Sequence, residues 1–334
     1  MNINELEHQL FELTPSERKY LQHDFLDYSQ ISTSKKIDGS DIYSFSYEHI
    51  TQGLEETTQY FVRKQSRFAP IPDHVTDVIE LNYVYHGKST HYINHHKIDL
   101  EEGDLIFIDT NTIHSVDSLD YNDIVLSINI KQQFFRDHFL NHFKNPTTLT
   151  KFLLQAISDS QNHNQFLLFK NESSQNIKLL FQQLLEEVYN PKILDHIYKD
   201  YLLQLILLEL IRSFSVESNG TNDKNSHKQQ LTLEILAYIS QHYATTTLEK
   251  CSQKFGYNTS YFSTLVKDCT GQTFKELLQE KRLESSLIPL LHSNLSIKEI
   301  AMNVGFSNLN HFYQLFKNKY HQTPAEYRQT KKEK

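Results

Sequence analysis

A pattern that occurs twice, 49 to 50 residues apart, constrains this 334-residue chain more than any other feature. In the downstream copy Ser296 is followed three residues later by Glu299, a pairing in which each side chain satisfies an orphan backbone N–H of a first helical turn. A helix is expected to start there. Ile300, Ala301 and Val304 give it one narrow apolar face, and Gly305 ends it by taking the left-handed conformation at no steric cost. A second helix follows from Asn308 to Tyr320. Upstream, Thr247, Gly256 and the stretch Thr259 to Cys269 repeat the plan, with Thr247 to Ser296 and Gly256 to Gly305 each 49 apart, and Phe262 to Phe312 and Lys267 to Lys317 each 50 apart. The chain therefore reads as carrying two helix-turn-helix units.

The second helix of each unit places its apolar residues on one stripe, Phe262, Leu265 and Val266 in the first and Phe312, Leu315 and Phe316 in the second, as a period of 3.6 requires for burial. The opposite stripe must face outward. It holds Ser260, Ser263, Thr264 and Lys267 in the first unit and Asn310, Tyr313, Gln314 and Lys317 in the second, at i, i+3, i+4 and i+7. Amides and hydroxyls at that spacing meet base edges in a DNA major groove, Asn and Gln pairing best with adenine, while lysines suit phosphates. Asn308, opening the second such helix, joins the candidate DNA contacts. The second unit is expected to read sequence more sharply, because the first offers only Ser and Thr where the second has Asn310 and Gln314.

The ordered string Gly256-Tyr257, Leu265, Lys267, Gly271, Thr273-Phe274, Arg282-Leu283, Ile300-Ala301, Val304-Gly305-Phe306, Phe312, Phe316-Lys317, Thr323-Pro324 and Tyr327-Arg328 resembles the C-terminal domain of the AraC/XylS family of bacterial transcription regulators. The resemblance covers residues 231–330. It implies that one long helix, here about Thr273 to Leu291, bridges the two units and holds both recognition helices on one face, so that they enter successive major grooves of a double-stranded operator. Departures from the family pattern are Ser252 and Ser286 for Ala, Val266 for Phe, and His321 for the Gly before Thr-Pro. Pro289, lacking an N–H and clashing with the preceding turn, is expected to kink or end the bridging helix by about Leu287.

Charge follows the same division. From Lys228 to Lys334 the chain has 14 Lys+Arg against 9 Asp+Glu, leaving 19 against 32 before it, so the overall net charge of −8 hides a basic module. A solvated charged face is the plainer reading of charge alone, but beside the paired turns it supplies the footprint for phosphate neutralisation. Of only 8 glycines, Gly256, Gly271 and Gly305 fall at turns of this module. Between Ser213 and Gln230 apolar periodicity gives way to polar, turn-prone residues, the expected interdomain linker.

Upstream, the runs Val78 to Tyr85, Ser89 to Ile93, Lys97 to Leu100, Leu105 to Ile108, Ile113 to Val116 and Ile124 to Ile130 alternate with turn signals such as His86-Gly87 and Gly103-Asp104. They predict a β-sandwich or barrel. The series His74, Glu80, Gly87, Gly103-Asp104 and His114 resembles the cupin-like sensor domain common at the N-terminus of the same family. Tyr83, Tyr85, His91 and His114 are the candidate ligand-binding residues. Beyond residue 131 the period turns helical, with Ile177, Leu180, Phe181, Leu184, Leu185 and Val188 on one stripe. The stretch Tyr201 to Ile211 is apolar nearly all round yet too short and polar to span a membrane. Either the barrel or a second subunit must cover it; the resemblance implies the latter. The N-terminal arm carries Leu6, Leu10, Leu13, Tyr20, Leu21 and Phe25 on an amphipathic pattern. The expected fold is α+β and multidomain: a helical arm (1–40), a cupin-like sensor β-barrel (41–130), a helical dimerisation segment (131–212), a linker (213–230) and an all-α double helix-turn-helix DNA-binding domain (231–330).

His74, Glu80 and His114 invite a metal reading, with His91, His95 and His96 nearby. Metal cupins, however, use a tight His-x-His followed by Glu and a distant His, and no His-x-His lies between His74 and His114. These histidines are therefore read as barrel or ligand-contact groups, with no metal and no cofactor. Cys251 and Cys269 lack metal-ligand spacing and read as buried free thiols. No phosphate loop, nucleophile elbow or zinc-protease motif is present, so no enzyme is expected. The start Met-Asn-Ile-Asn-Glu-Leu-Glu has no basic region leading into an apolar core, which points to the cytoplasm, and two cysteines fit a reducing compartment. The reading is a ligand-responsive transcription activator acting as a homodimer, with RNA polymerase as a partner, no membrane, and a small-molecule effector, sugars being common in the family. A metal-dependent cupin enzyme fused to a DNA-binding domain and a regulator gated by a protein partner stay open as alternatives.

Overall fold

The structure, a computed structural model, describes residues 3–28, 33–37, 40–51, 58–94, 96–143, 147–157, 165–170, 175–213, 215–218 and 226–329. The chain divides into two compact units, Met1–His138 with Thr147–Ala156 and Gln161–Asp223, and Phe139–Pro146 with Ile157–Ser160 and Lys224–Lys334. No helix among the described residues is long and apolar enough to cross a membrane.

The first unit is built on two sheets. One runs in the order β1 (Thr33–Ile37), β2 (Ser40–Phe45), β4 (Ile71–Thr76), β9 (His114–Val116), β6 (Lys88–Ile93) and β7 (His96–Glu101). The other runs β12 (Ser215–Ser218), β11 (Phe166–Lys170), β8 (Leu105–Ile108), β5 (Ile79–His86), β10 (Ile124–Ile130) and β3 (Tyr60–Lys64). All neighbours are antiparallel except β2 and β4. Between the sheets lie Val84, Ile93, Leu100, Ile106, Ile108, Leu119, Val125 and Leu168, all buried, each contributing roughly 1.5–3 kcal/mol by leaving water. The other face of the second sheet is covered too. Tyr83 stacks on Phe181 of helix Gln175–Tyr189 with ring centres 4.0 Å apart, and Phe107 meets Phe152 of helix Thr148–Ala156. Burial on both faces is why β8 is an unbroken apolar run, and why β5 and β10 are buried along nearly their whole length although Glu80, Asn82, Ser127 and Asn129 are polar.

Three segments depart from the sequence expectation. Phe166–Lys170, in a stretch read as helical, is β11: four apolar residues are too few to show a period, and pairing with β8 decides. Part of the expected linker, Ser215–Ser218, adds β12 to the same sheet, and helix Ser226–His242 begins inside it; residues 214 and 219–225 lie outside the described ones. The arm, expected to be helical over 1–40, is two helices, Ile3–Phe11 and Pro15–Tyr20, broken where Thr14 and Glu17 form a capping box, and its last stretch, Thr33–Ile37, is strand β1, drawn into the sheet by pairing with β2. Leu6 and Leu10 are buried as expected, while Leu21 and Phe25 are exposed. Glu17 anchors the arm: its carboxylate accepts from Arg67 Nε at 2.8 Å and Lys64 Nζ at 3.2 Å, all three groups being buried. Burial pushes the carboxyl up, but bonds from Arg67 and Thr14 and the Lys64 charge outweigh it and hold it at about 2.

Helix Asp195–Ser213 has two apolar faces. Leu202, Leu203, Ile206, Leu207 and Leu210 are buried, whereas Tyr198, Tyr201, Leu205 and Leu208 are between 40% and 63% exposed.

The second unit is helical: Ser226–His242, Leu248–Lys254, Thr259–Thr270, Phe274–His292, Ile297–Asn303, Leu309–Tyr320 and Pro324–Gln329. Both turns have the same bonds. The N–H of Gly256 reaches Gln253 O and that of Tyr257 reaches Ser252 O, just as Gly305 reaches Met302 O and Phe306 reaches Ala301 O. That is the Schellman arrangement, closed by a left-handed glycine. Pro289 does not end the bridging helix, which runs on to His292. The proline removes one bond in the last turn, and burial of Leu283 and Leu290 in the second unit's core holds that turn in place.

Candidate functional site

Each recognition helix is started by an asparagine. Asn258 Oδ1 accepts the Tyr261 N–H at 2.8 Å and Asn308 Oδ1 accepts the His311 N–H at 3.2 Å. Asn308, expected as a DNA contact, thus has its oxygen engaged in capping. Beyond the caps the outward stripes are solvent-facing: Ser260, Thr264, Lys267, Asn310, Gln314 and Lys317 are exposed, and Ser263 and Tyr313 half-buried. Phe262, Val266, Phe312 and Phe316 are fully buried on the opposite sides. The polar departures are satisfied internally, Ser252 Oγ donating to Glu249 O and Ser286 Oγ to Leu283 O. Lys319 is not a free cation, since its Nζ binds Glu280 and Glu284 of the bridging helix. Sequence reasoning missed Tyr261, 53% exposed; its only signal was an aromatic ring at a position the apolar stripe does not use. Cys251 and Cys269 are buried thiols that form no disulfide, and burial pushes that of Cys251 up to about 12.

In the barrel the four expected ligand contacts separate. Tyr83 and Tyr85 point away from the space between the sheets, Tyr83 against Phe181 and Tyr85 Oη bonded to Gln182 and Glu7. Because β5 alternates, its inward residues are Glu80, Asn82 and Val84. His91 and His114 do face inward. His114 lies directly opposite His74, and His91 pairs with Val116 two residues along the same strand. Beside the apolar core, part of the inner lining is polar: Gln65 Nε2 donates to Asn82 Oδ1 at 3.1 Å, and Asn82 Nδ2, Asn129 Oδ1, Gln65 Oε1 and both ring nitrogens of His91 have no partner. Phe45 packs on His74 at 5.0 Å, with Tyr43 and Tyr28 alongside. His95 lies outside the described residues, and His96 is exposed on β7.

At the centre of this lining are His74, Glu80 and His114, all buried. His114 Nε2 is 3.4 Å and His74 Nε2 3.8 Å from Glu80 Oε1. Burial pushes the Glu80 carboxyl up, but the two histidines outweigh it and hold it well below the usual range. Burial and the neighbouring His114 push His74 down; burial lowers His114 too, but Glu80 prevails and raises it. His91, buried without a counter-charge in contact, is pushed down to about 3.

Comparison with known proteins fits both sites. Residues 63–211 match the family described as AraC-like ligand binding domain, and residues 251–330 match the helix-turn-helix domain family. The chain is 26% identical over 262 residues to the HTH-type transcriptional activator RhaS of Escherichia coli, covering 78% of this chain and 88% of that one. It is 23% identical over 287 residues to the HTH-type regulator YdeC of Bacillus subtilis, covering 84% and 94%. Among solved structures, the C-terminal domain of the response regulator yesN from Fusobacterium nucleatum is 35% identical, covering 28% of this chain and 94% of that one, with a TM-score of 0.27. ToxT from Vibrio cholerae is 15% identical, covering 82% and 97%, with a TM-score of 0.31. With a ligand-binding barrel followed by two helix-turn-helix units that present matching outward stripes, the chain belongs to the AraC/XylS family of DNA-binding transcription regulators.

Proposed function

We propose that the protein is a homodimeric, cytoplasmic transcription activator that reads two successive major grooves of an operator and responds to a small polar effector held in the barrel. The carrying observation is the repeated solvent-facing stripe, Ser260, Ser263, Thr264 and Lys267 matched by Asn310, Tyr313, Gln314 and Lys317. In this reading Asn310 and Gln314 meet bases, Lys267 and Lys317 meet phosphates, and Asn308 adds its amide nitrogen at the groove edge. The activator role is supported by the likeness to RhaS, which is named as an activator; contact with RNA polymerase is part of the same reading. Dimer formation is supported by Tyr198, Tyr201, Leu205 and Leu208, whose 3-4-3 spacing makes an exposed apolar seam of coiled-coil type. The effector site comprises His91 and His114 with Asn82, Gln65 and Asn129, whose unpartnered polar atoms suit an oxygen-rich ligand such as a sugar.

Footprinting of the full chain on a selected operator tests this. The expected result is protection of two grooves on one face about 10 base pairs apart; protection confined to one groove refutes the tandem reading. Leu205→Glu is expected to yield monomers in sedimentation equilibrium while the untouched chain sediments as a dimer.

A further inference from the structure

His74 and His114 are held in the same way from opposite sides of one pairing. His74 Nδ1 lies 2.8 Å from Pro72 O and His114 Nδ1 lies 2.9 Å from Thr112 O. A backbone carbonyl accepts only, so each Nδ1 is the protonated nitrogen and Nε2 is the ring atom turned toward the partner residues. Directly opposing registration on β4 and β9 brings the rings to 4.0 Å between centres. Glu80 arrives from the other sheet, on the inward face of β5. One nitrogen from each histidine and one carboxylate oxygen all lie within 4.8 Å of one another, in a setting where all three residues are buried. Nε2 of His114 makes no hydrogen bond of acceptable geometry despite standing 3.4 Å from the carboxylate.

We propose that His74 Nε2, His114 Nε2 and Glu80 Oε1 form a binding site for one divalent first-row transition metal ion inside the sensor barrel. Two imidazoles and one carboxylate, with the imidazole N–H groups anchored on backbone carbonyls, are the donor set and the outer-shell pattern of such ions. Magnesium and calcium, which prefer all-oxygen shells, do not suit it. The absence of His-x-His argues only against a four-residue set: Thr76 stands two residues after His74, its hydroxyl donating to Val78 O. His91, with both ring nitrogens unpartnered, lies on the neighbouring strand of the same inward face but is not among the donors that lie within 4.8 Å of one another. The site shares His114 with the effector site proposed above, and ion binding is measured in the absence of any effector, so its failure and the failure of that reading are distinguishable.

The test is titration of tag-free, chelator-treated full-length protein with Zn(II), Co(II) and Mn(II) by calorimetry, with bound metal counted by elemental analysis and the Co(II) spectrum recorded. The expected result is one ion per chain for at least one metal, nitrogen and oxygen ligation in the Co(II) spectrum, and an affinity lowered more than about 100-fold by Glu80→Gln and by His114→Gln. His96→Ala, on the exposed edge strand, should leave binding unchanged. The proposal is overturned if no ion binds the intact protein more tightly than about 10 μM, or if binding persists unaltered in folded Glu80→Gln and His114→Gln chains.

Discussion

Gly256 and Gly305 end equivalent helices with φ of 75° and 99°, yet their surroundings differ. A Cβ at 256 would meet nothing within 4 Å, whereas one at 305 would collide with the Ala244 carbonyl and lie 2.8 Å from Arg282 Nε. The two starts differ as well: Ser296 and Glu299 exchange both bonds of a capping box, while Thr247 accepts from the N–H of Lys250, whose side chain returns no such bond. Phe316, touching Phe312, Tyr320 and Tyr327, stands where the first unit has the smaller Val266. At the far end the order reverses. Gly271 caps the first recognition helix at φ 71°, and its counterpart is His321 at φ 56°, a left-handed residue that carries a Cβ. The same backbone plan is thus enforced by close packing in the second unit and by glycine freedom in the first.

The sharpest break of this comparison is at the turns. Gly305→Val is expected to destabilise the second unit by about 3–5 kcal/mol, combining left-handed strain with a steric clash. Gly256→Val carries the strain alone, about 1–2 kcal/mol. The readout is the urea transition at which the full chain loses DNA binding; equal losses would remove the distinction.

Base reading should divide the units next. Asn310→Ala or Gln314→Ala is expected to cost about 1–3 kcal/mol and to relax preference at a single operator position. Ser260→Ala or Thr264→Ala should change selectivity less, as measured against a randomised operator library. Exchange at the helix ends gives a smaller and signed effect: His321→Gly should stabilise, and Gly271→Ala destabilise, each by about 1 kcal/mol. Thermal melts that move in the same direction for both would contradict the assignment. Smallest of all, and alike in both units, Lys267→Ala and Lys317→Ala should each make the salt dependence of binding shallower by about one unit without altering sequence preference.

Much of this was legible before any coordinates, for identifiable reasons. Ser296 with Glu299, Gly305, and the 3.6 period through Phe312 and Phe316 act over a few residues, and the structure has each where the pattern put it. The β5, β6, β7, β8, β9 and β10 strands likewise follow the apolar runs read from the sequence, within a residue or two at their ends. Pro289 did not end its helix, because packing of Leu283 and Leu290 prevails over the local rule. Tyr83 and Tyr85 were misjudged because β5 is buried on both faces, so alternation names the residues that share a face without saying which face is inward.

The sequence by itself determined what short-range chemistry controls: helix starts, glycine turns, strand positions, the outward stripes and family membership. Only the tertiary structure decided what depends on pairing between distant segments. The sheet register set His74 opposite His114 and turned Glu80 toward both, across 40 residues of chain. Docking of helix Gln175–Tyr189 drew Tyr83 out of the barrel interior, and β8 drew Phe166–Lys170 into a strand. The physical reason is that periodicity and capping are properties of neighbouring residues, whereas the face a strand shows to the core is settled by whatever covers it.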